Sequence, residues 1–102
     1  MKIAVDAMVG DFAPAVVVEG AIQAAKEFGI HSILVGDKDR VSAELKKHGC
    51  ADSRITVWHA SEIVEMDEPP AQAIRRKKDS SLRVCFDLVN NGEATAVVSA
   101  GN

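Results

Sequence analysis

Apolar and polar positions along this chain alternate between two rhythms. Short, nearly continuous apolar runs fall at Lys2–Asp6, Ser32–Gly36, Ile55–Trp58 and Thr95–Val98. Runs of this length, bounded by turn residues, predict strands buried on both faces. Between them the apolar positions take helical spacing. Val18, Ala21, Ile22, Ala25 and Phe28 predict one face of a helix that starts near Pro14 and stops at Gly29. Asp37 is placed to cap a second helix, with Val41 and Leu45 on its apolar face and Gly49 at its end. Pro69-Pro70 opens a short helix reaching Lys77 or Lys78. Ser80 or Ser81 caps a further helix with Leu82, Cys85, Phe86 and Val89 expected inside, and Asn91-Gly92 stops it.

Strands alternating with helices predict an α/β fold: a three-layer, Rossmann-like sandwich on a parallel sheet, with residues 1–102 as a single domain. A strand order of 3-2-1-4 would put the switch point between the first and fourth strands. The loop Asp6-Ala7-Met8-Val9-Gly10-Asp11 and the loop Ser99-Ala100-Gly101-Asn102 would then flank one crevice. The second loop opens where a parallel fold would hand over to a helix, so the chain reads as the N-terminal portion of a larger fold, incomplete at its C-terminus.

Composition narrows the function classes. A hydrophobic share of 47% supports a packed core, and a net charge of −3 offers no general attraction to nucleic acid. Four aromatic residues, none of them tyrosine, do not make a base-stacking platform. There is no signal-peptide pattern behind Met1-Lys2, and no apolar run approaches the roughly 18 residues of a membrane span. Cys50 and Cys85 fit no zinc or redox spacing. Cys85 is expected in the core and Cys50 as an unpaired surface thiol. A cytoplasmic location is the expectation.

Candidate chemistry collects in four places. In the first loop, Gly10 allows close backbone approach, Asp6 and Asp11 bracket the turn, and a helix N-terminus just beyond favours an anion; the plainer reading is a tight turn with Asp11 helping to cap that helix. In the second loop, the Ser99 hydroxyl, Gly101 N–H and Asn102 amide can hold a phosphate or a carbonyl oxygen, or simply form a strand exit. Of the basic run Arg75-Arg76-Lys77-Lys78, Lys78 is best placed for an anion because Asp79-Ser80-Ser81 follows at a helix start. The rest complement the helix dipole or an acidic partner. His59, at the end of the third strand, is an acid–base candidate or a structural hydrogen-bonding residue. The acidic stretch at Glu62, Glu65, Asp67 and Glu68 matches no metal-loop spacing. The glycine fingerprint of dinucleotide sites is absent.

Several segments together resemble one family from end to end. They are Met1-Lys2-Ile3-Ala4-Val5-Asp6-Ala7-Met8, Val17-Val18-Glu19-Gly20-Ala21, Ile33-Leu34-Val35-Gly36-Asp37, His59-Ala60-Ser61-Glu62, Met66-Asp67-Glu68, Arg75-Arg76-Lys77-Lys78-Asp79-Ser80-Ser81-Leu82-Arg83 and Val97-Val98-Ser99-Ala100-Gly101-Asn102. The chain is similar to the N-terminal part of the PlsX family, the acyl-carrier-protein phosphate acyltransferases. The resemblance implies transfer of a fatty acyl group from acyl carrier protein to inorganic phosphate, giving acyl phosphate for phospholipid synthesis. It implies a homodimer, peripheral to the inner face of the membrane, without an organic cofactor or metal. It casts Lys78 and Asn102 as catalytic. Asp6, Gly10, Asp11, Ser80, Ser81, Ser99 and Gly101 would bind phosphate or substrate, and Arg75, Arg76 and Lys77 would dock the acidic carrier protein. A non-catalytic module that binds carrier protein or self-associates is the alternative. Two positions depart from the family pattern. Val9 stands where the family has a glycine, a residue strongly disfavoured if φ is positive there. Phe12 stands where the family often has a polar residue.

Overall fold

The computed structural model describes residues 1–65 and 67–100. Four parallel strands form one sheet: β1 (Lys2–Asp6), β2 (His31–Gly36), β3 (Ile55–His59) and β4 (Ala96–Val98). Their order is β3-β2-β1-β4, as the switch-point argument requires. β1 pairs with β2 from Lys2↔His31 to Asp6↔Val35, and with β4 from Ile3↔Ala96 to Val5↔Val98. The described residues also form four helices: α1 (Ala15–Phe28), α2 (Lys38–Lys47), α3 (Pro70–Arg76) and α4 (Ser81–Asn90).

Strand alternation sorts the core into two layers, because successive side chains point to opposite faces. On one face, Leu34 packs with Val18, Ala21, Ile22 and Ala25 of α1 and Val41 of α2, with Val5 and Val57 at the margin. On the other, Ala4, Ile33 and Val35 meet Val84, Cys85 and Leu88 of α4. The sheet is therefore sandwiched between α1/α2 and α4. At Gly36 the fold needs a missing side chain, since a Cβ there would lie 2.5 Å from Met8 Cγ.

Local chemistry explains the helix boundaries. Asp37 caps α2 by accepting the Asp39 and Arg40 N–H groups, at 3.0 and 3.2 Å. Gly29 closes α1 at φ 65°. Ser80 caps α4, its hydroxyl accepting the Arg83 N–H at 3.1 Å.

Several expectations are corrected. Pro14 precedes α1 as its cap residue, and Asp11 takes no part, since α1 has no side-chain cap. Phe28 is exposed, because it lies in the last turn beyond the sheet's cover. The apolar stripe of α4 is rotated from the expected one. Val84, Cys85 and Leu88 are buried, Phe86 is exposed, and Leu82 and Val89 are half-buried. Both stripes have helical spacing, and only the position of the sheet selects between them. Cys50 is half-buried and packs against the α1/α2 core rather than lying free on the surface.

Candidate functional site

The pairing of β1 with β4 decides where chemistry can collect. Val5 lies opposite Val98, so the Asp6 loop and Ser99 leave the sheet side by side at its C-terminal edge. That edge, at the point where the strand order reverses, is where open α/β sheets bind ligands. Gly101 and Asn102 lie outside the described residues.

Asp6 shares the pleat parity of Ala4, so its side chain points to the α4 face. It is 1% exposed. Its Oδ1 accepts the Met8 N–H at 3.1 Å, which folds the loop back on itself. Its Oδ2 is buried without a hydrogen-bond partner among the described residues, and so is Ser81 Oγ at the start of α4. Burial pushes the Asp6 carboxyl above its ordinary value, while the nearby Ser81 hydroxyl and the Met8 N–H pull it back. The Ser81 hydroxyl is near enough to be felt, yet no bond of ordinary geometry closes between the two. Unsatisfied buried polar atoms are rare in folded proteins and concentrate where function requires them. Cys85, one turn along α4, is held as a thiol, its pKa pushed up to about 12 by burial and by the Asp6 charge.

Beyond Asp6 the chain turns sharply. Gly10 has φ 115°, a conformation that side chains other than hydrogen rarely adopt. Val9 does not share that conformation, for no residue other than glycine has positive φ among the described residues. Its side chain is buried at 5% exposure, so the valine departure adds neither backbone strain nor bulk facing solvent. Asp11 and Phe12 are exposed at the rim.

The basic run and its followers are divided between internal bonds and solvent. Lys77 turns inward, its ammonium donating to Ile63 O at 2.8 Å and to Glu68 Oε1 at 2.5 Å. Arg83 donates to Ile74 O at 2.9 Å and reaches Asp87 at 3.3 Å. Asp79 Oδ2 accepts both the Ser61 N–H, at 3.0 Å, and its hydroxyl, at 2.6 Å. A backbone bridge between Glu62 and Ser80 completes this strap. The strap holds the start of α4 against the loop after β3, and the sequence reading missed it. Its signal was present in the Asp79 and Ser61 types, but nothing in their separation pairs them. Arg75, Arg76 and Lys78 are exposed. Ser80 is fully buried, with its hydroxyl engaged as the cap of α4. His59 Nδ1 accepts the Lys38 N–H at 3.1 Å, so this ring anchors the first turn of α2. No group of three or more His, Cys, Asp or Glu residues is arranged to hold a metal ion among the described residues.

A sequence profile for a family described as "Fatty acid synthesis protein" matches residues 1–102. The chain belongs to this fatty acid synthesis protein family. Its curated relatives agree. It is 61% identical to the phosphate acyltransferase of Geotalea daltonii, 63% to that of Geotalea uraniireducens and 60% to that of Geobacter sulfurreducens, each over 102 residues. All of this chain is covered, and it spans 30% of each relative's length. The resemblance to the PlsX family thus holds over the whole sequence. For a member of this family, the reversal between β1 and β4 locates the first loop, Ser99 and the start of α4 on one edge.

Proposed function

We propose that this chain supplies the phosphate-binding half of a phosphate acyltransferase, which moves a fatty acyl group from acyl carrier protein to inorganic phosphate. The single observation that carries this reading is the adjacency of the Asp6 loop, Ser99 and the Ser80–Ser81 start of α4 at one sheet edge, where Asp6 Oδ2 and Ser81 Oγ are buried without partners among the described residues. A phosphate oxygen attacks the thioester carbonyl, the C–S bond breaks, and the carrier-protein sulfur leaves and takes up a proton. The products are acyl phosphate, which feeds phospholipid synthesis, and free carrier-protein thiol.

Phosphate is a weak nucleophile, so holding and orienting it supplies much of the rate. In this reading Lys78 and the backbone N–H groups around Gly10 and Asp11 hold phosphate, and the Ser80–Ser81 helix start favours its charge. Asp6 shapes the first loop by accepting the Met8 N–H. Ser99, Gly101 and Asn102 are the donors assigned to the carbonyl oxygen as it gains charge. Acyl carrier protein, which is acidic, docks on Arg75 and Arg76, with Lys77 contributing mainly through its bond to Glu68. The complete protein works as a homodimer in the cytoplasm, peripheral to the membrane's inner face. No helix among the described residues is long and apolar enough to cross a membrane.

The test is phosphate-dependent release of free thiol from acyl-acyl carrier protein. The full-length Geobacter sulfurreducens relative is expected to turn over, with Lys→Ala at the position aligned with Lys78 lowering kcat/KM at least tenfold. Unchanged turnover would remove Lys78 from the reaction. Carrier-protein binding by the 102-residue chain without turnover would favour a docking module.

A further inference from the structure

Asp6 is a carboxyl group buried at the sheet edge to which phosphate is assigned, and no cation of the chain reaches it. It is 1% exposed, its Oδ2 has no hydrogen-bond partner among the described residues, and the ion pairs there join other residues. At that burial it is not placed to touch a ligand. Its charge can still act on one across the protein interior.

The groups that face Asp6 are few. α4 presents the Ser81 hydroxyl, itself buried and unpartnered among the described residues, and the Cys85 thiol one turn on. β2 presents Val35, the register partner of Asp6, and β4 presents Val97 beside Ala4. Ala60, just after β3, belongs to the same apolar layer. Asp11 in the first loop and Lys78 ahead of α4 are both exposed to solvent. Burial and the Asp6 charge push the Cys85 pKa up to about 12, so that thiol stays neutral. Asp6 is then the group of this buried layer whose charge changes in the acid-to-neutral range.

An ionised Asp6 and a bound anion make opposing demands on one place. Both are favoured by the positive end of α4 and by the donors of the first loop, one of which, the Met8 N–H, Asp6 already uses. Like charges separated by protein rather than water repel strongly. Burial alone already favours the neutral carboxyl. We propose that anion binding at this edge is linked to protonation of Asp6: the chain that holds phosphate is the one with Asp6 neutral, and solvent supplies the proton. No covalent bond changes. The inference rests on the phosphate-binding reading and adds a regulating group to that site. Affinity is highest where Asp6 is neutral and falls as pH rises through its value in the fold. By reciprocity, the bound anion raises the Asp6 value by the same factor.

The test uses inorganic sulfate, a tetrahedral dianion that does not titrate in this range, with inorganic phosphate as a second probe. The Asp6 carboxyl of the isotope-labelled 102-residue chain is titrated by NMR with and without saturating sulfate. Sulfate is expected to raise the Asp6 midpoint. Sulfate affinity, measured by calorimetry, is expected to weaken at least about fivefold as pH rises through that midpoint. Asp6→Asn is expected to remove this pH dependence, and the wild-type titration decides by itself where the variant does not fold. A midpoint that bound sulfate leaves unchanged or lowers would overturn the linkage while the phosphate-binding reading stands. A folded Asp6→Asn chain that keeps the pH dependence would also overturn it, because the proton would then belong to another group such as Asp11. Binding of neither anion would overturn both the linkage and the phosphate-binding reading.

Discussion

Asp6 is the residue at which stability and site geometry conflict. Its carboxylate is buried at the end of β1 with one oxygen unpartnered among the described residues. Because burial raises its pKa in the fold, the folded state favours the neutral form. The sign follows: Asp6 weakens the fold as pH rises from the ordinary carboxylate value through its raised value in the folded protein. Asp6→Asn keeps an oxygen for the Met8 N–H and offers an N–H to Ser81 Oγ. It is expected to stabilise the chain at pH 7 by about 1 kcal/mol, read by urea unfolding. A loss of stability would mean that the buried negative charge is itself required by the fold. Much at this scale was legible in the sequence, which marked Asp6, Gly10 and Ser81 by type and position. The unsatisfied pairing of Asp6 with Ser81 was not legible. It joins residues far apart in the chain, and only the seating of α4 on the sheet brings them together.

At the scale of elements, α4 depends on its cap and on its strap. Ser80→Ala removes the acceptor of the Arg83 N–H from a fully buried position. It is expected to cost about 1–2 kcal/mol, measured by the urea midpoint at constant m-value. A change below a few tenths would mean that the strap alone holds the helix start. Gly36→Ala tests the close contact at the end of β2, where a Cβ meets the Met8 side chain. Met8 is buried and has little room to yield, so a loss of about 1–3 kcal/mol is expected. Helix existence, caps and terminators followed from periodicity and from Asp37, Ser80 and Gly29. The burial of α4 did not, because Leu82, Cys85, Phe86 and Val89 have the same helical period as Val84, Cys85 and Leu88.

For the whole molecule, three carboxylates hold the loops between elements. Arg54 donates to Asp52 through its backbone N–H, Nε and Nη2, and these bonds lower the Asp52 pKa to about 2. The Lys77 bond lowers Glu68, and the Ser61 bonds lower Asp79. A depressed pKa in the fold gives stability that is present above the unfolded value and lost as pH falls through the folded one. The urea midpoint is therefore expected to fall as pH drops from the ordinary aspartate value of 3.8 toward about 2, below the range in which Asp6 acts. Asp52→Asn is expected to flatten that fall in part. A midpoint that does not change across this window would show that these bonds persist to no effect in solution.

From the sequence alone follow the α/β class, the alternation of strands and helices along the chain, most of their boundaries, and membership of the fatty acid synthesis protein family. These follow from local period, from capping and turn chemistry, and from motifs read in line. Tertiary structure decided which face of α4 is buried, that Lys77, Asp79 and His59 serve internal bonds, and that Asp6 meets Ser81. It also showed that Val9 sits inward without strain, and that the side of the sheet beside α1 holds a groove. The physical reason is common to all of these. Each depends on which distant segments the parallel pairing of β1 with β2 and β4 brings into contact, and the one-dimensional pattern carries no distance between residues that are far apart in the chain.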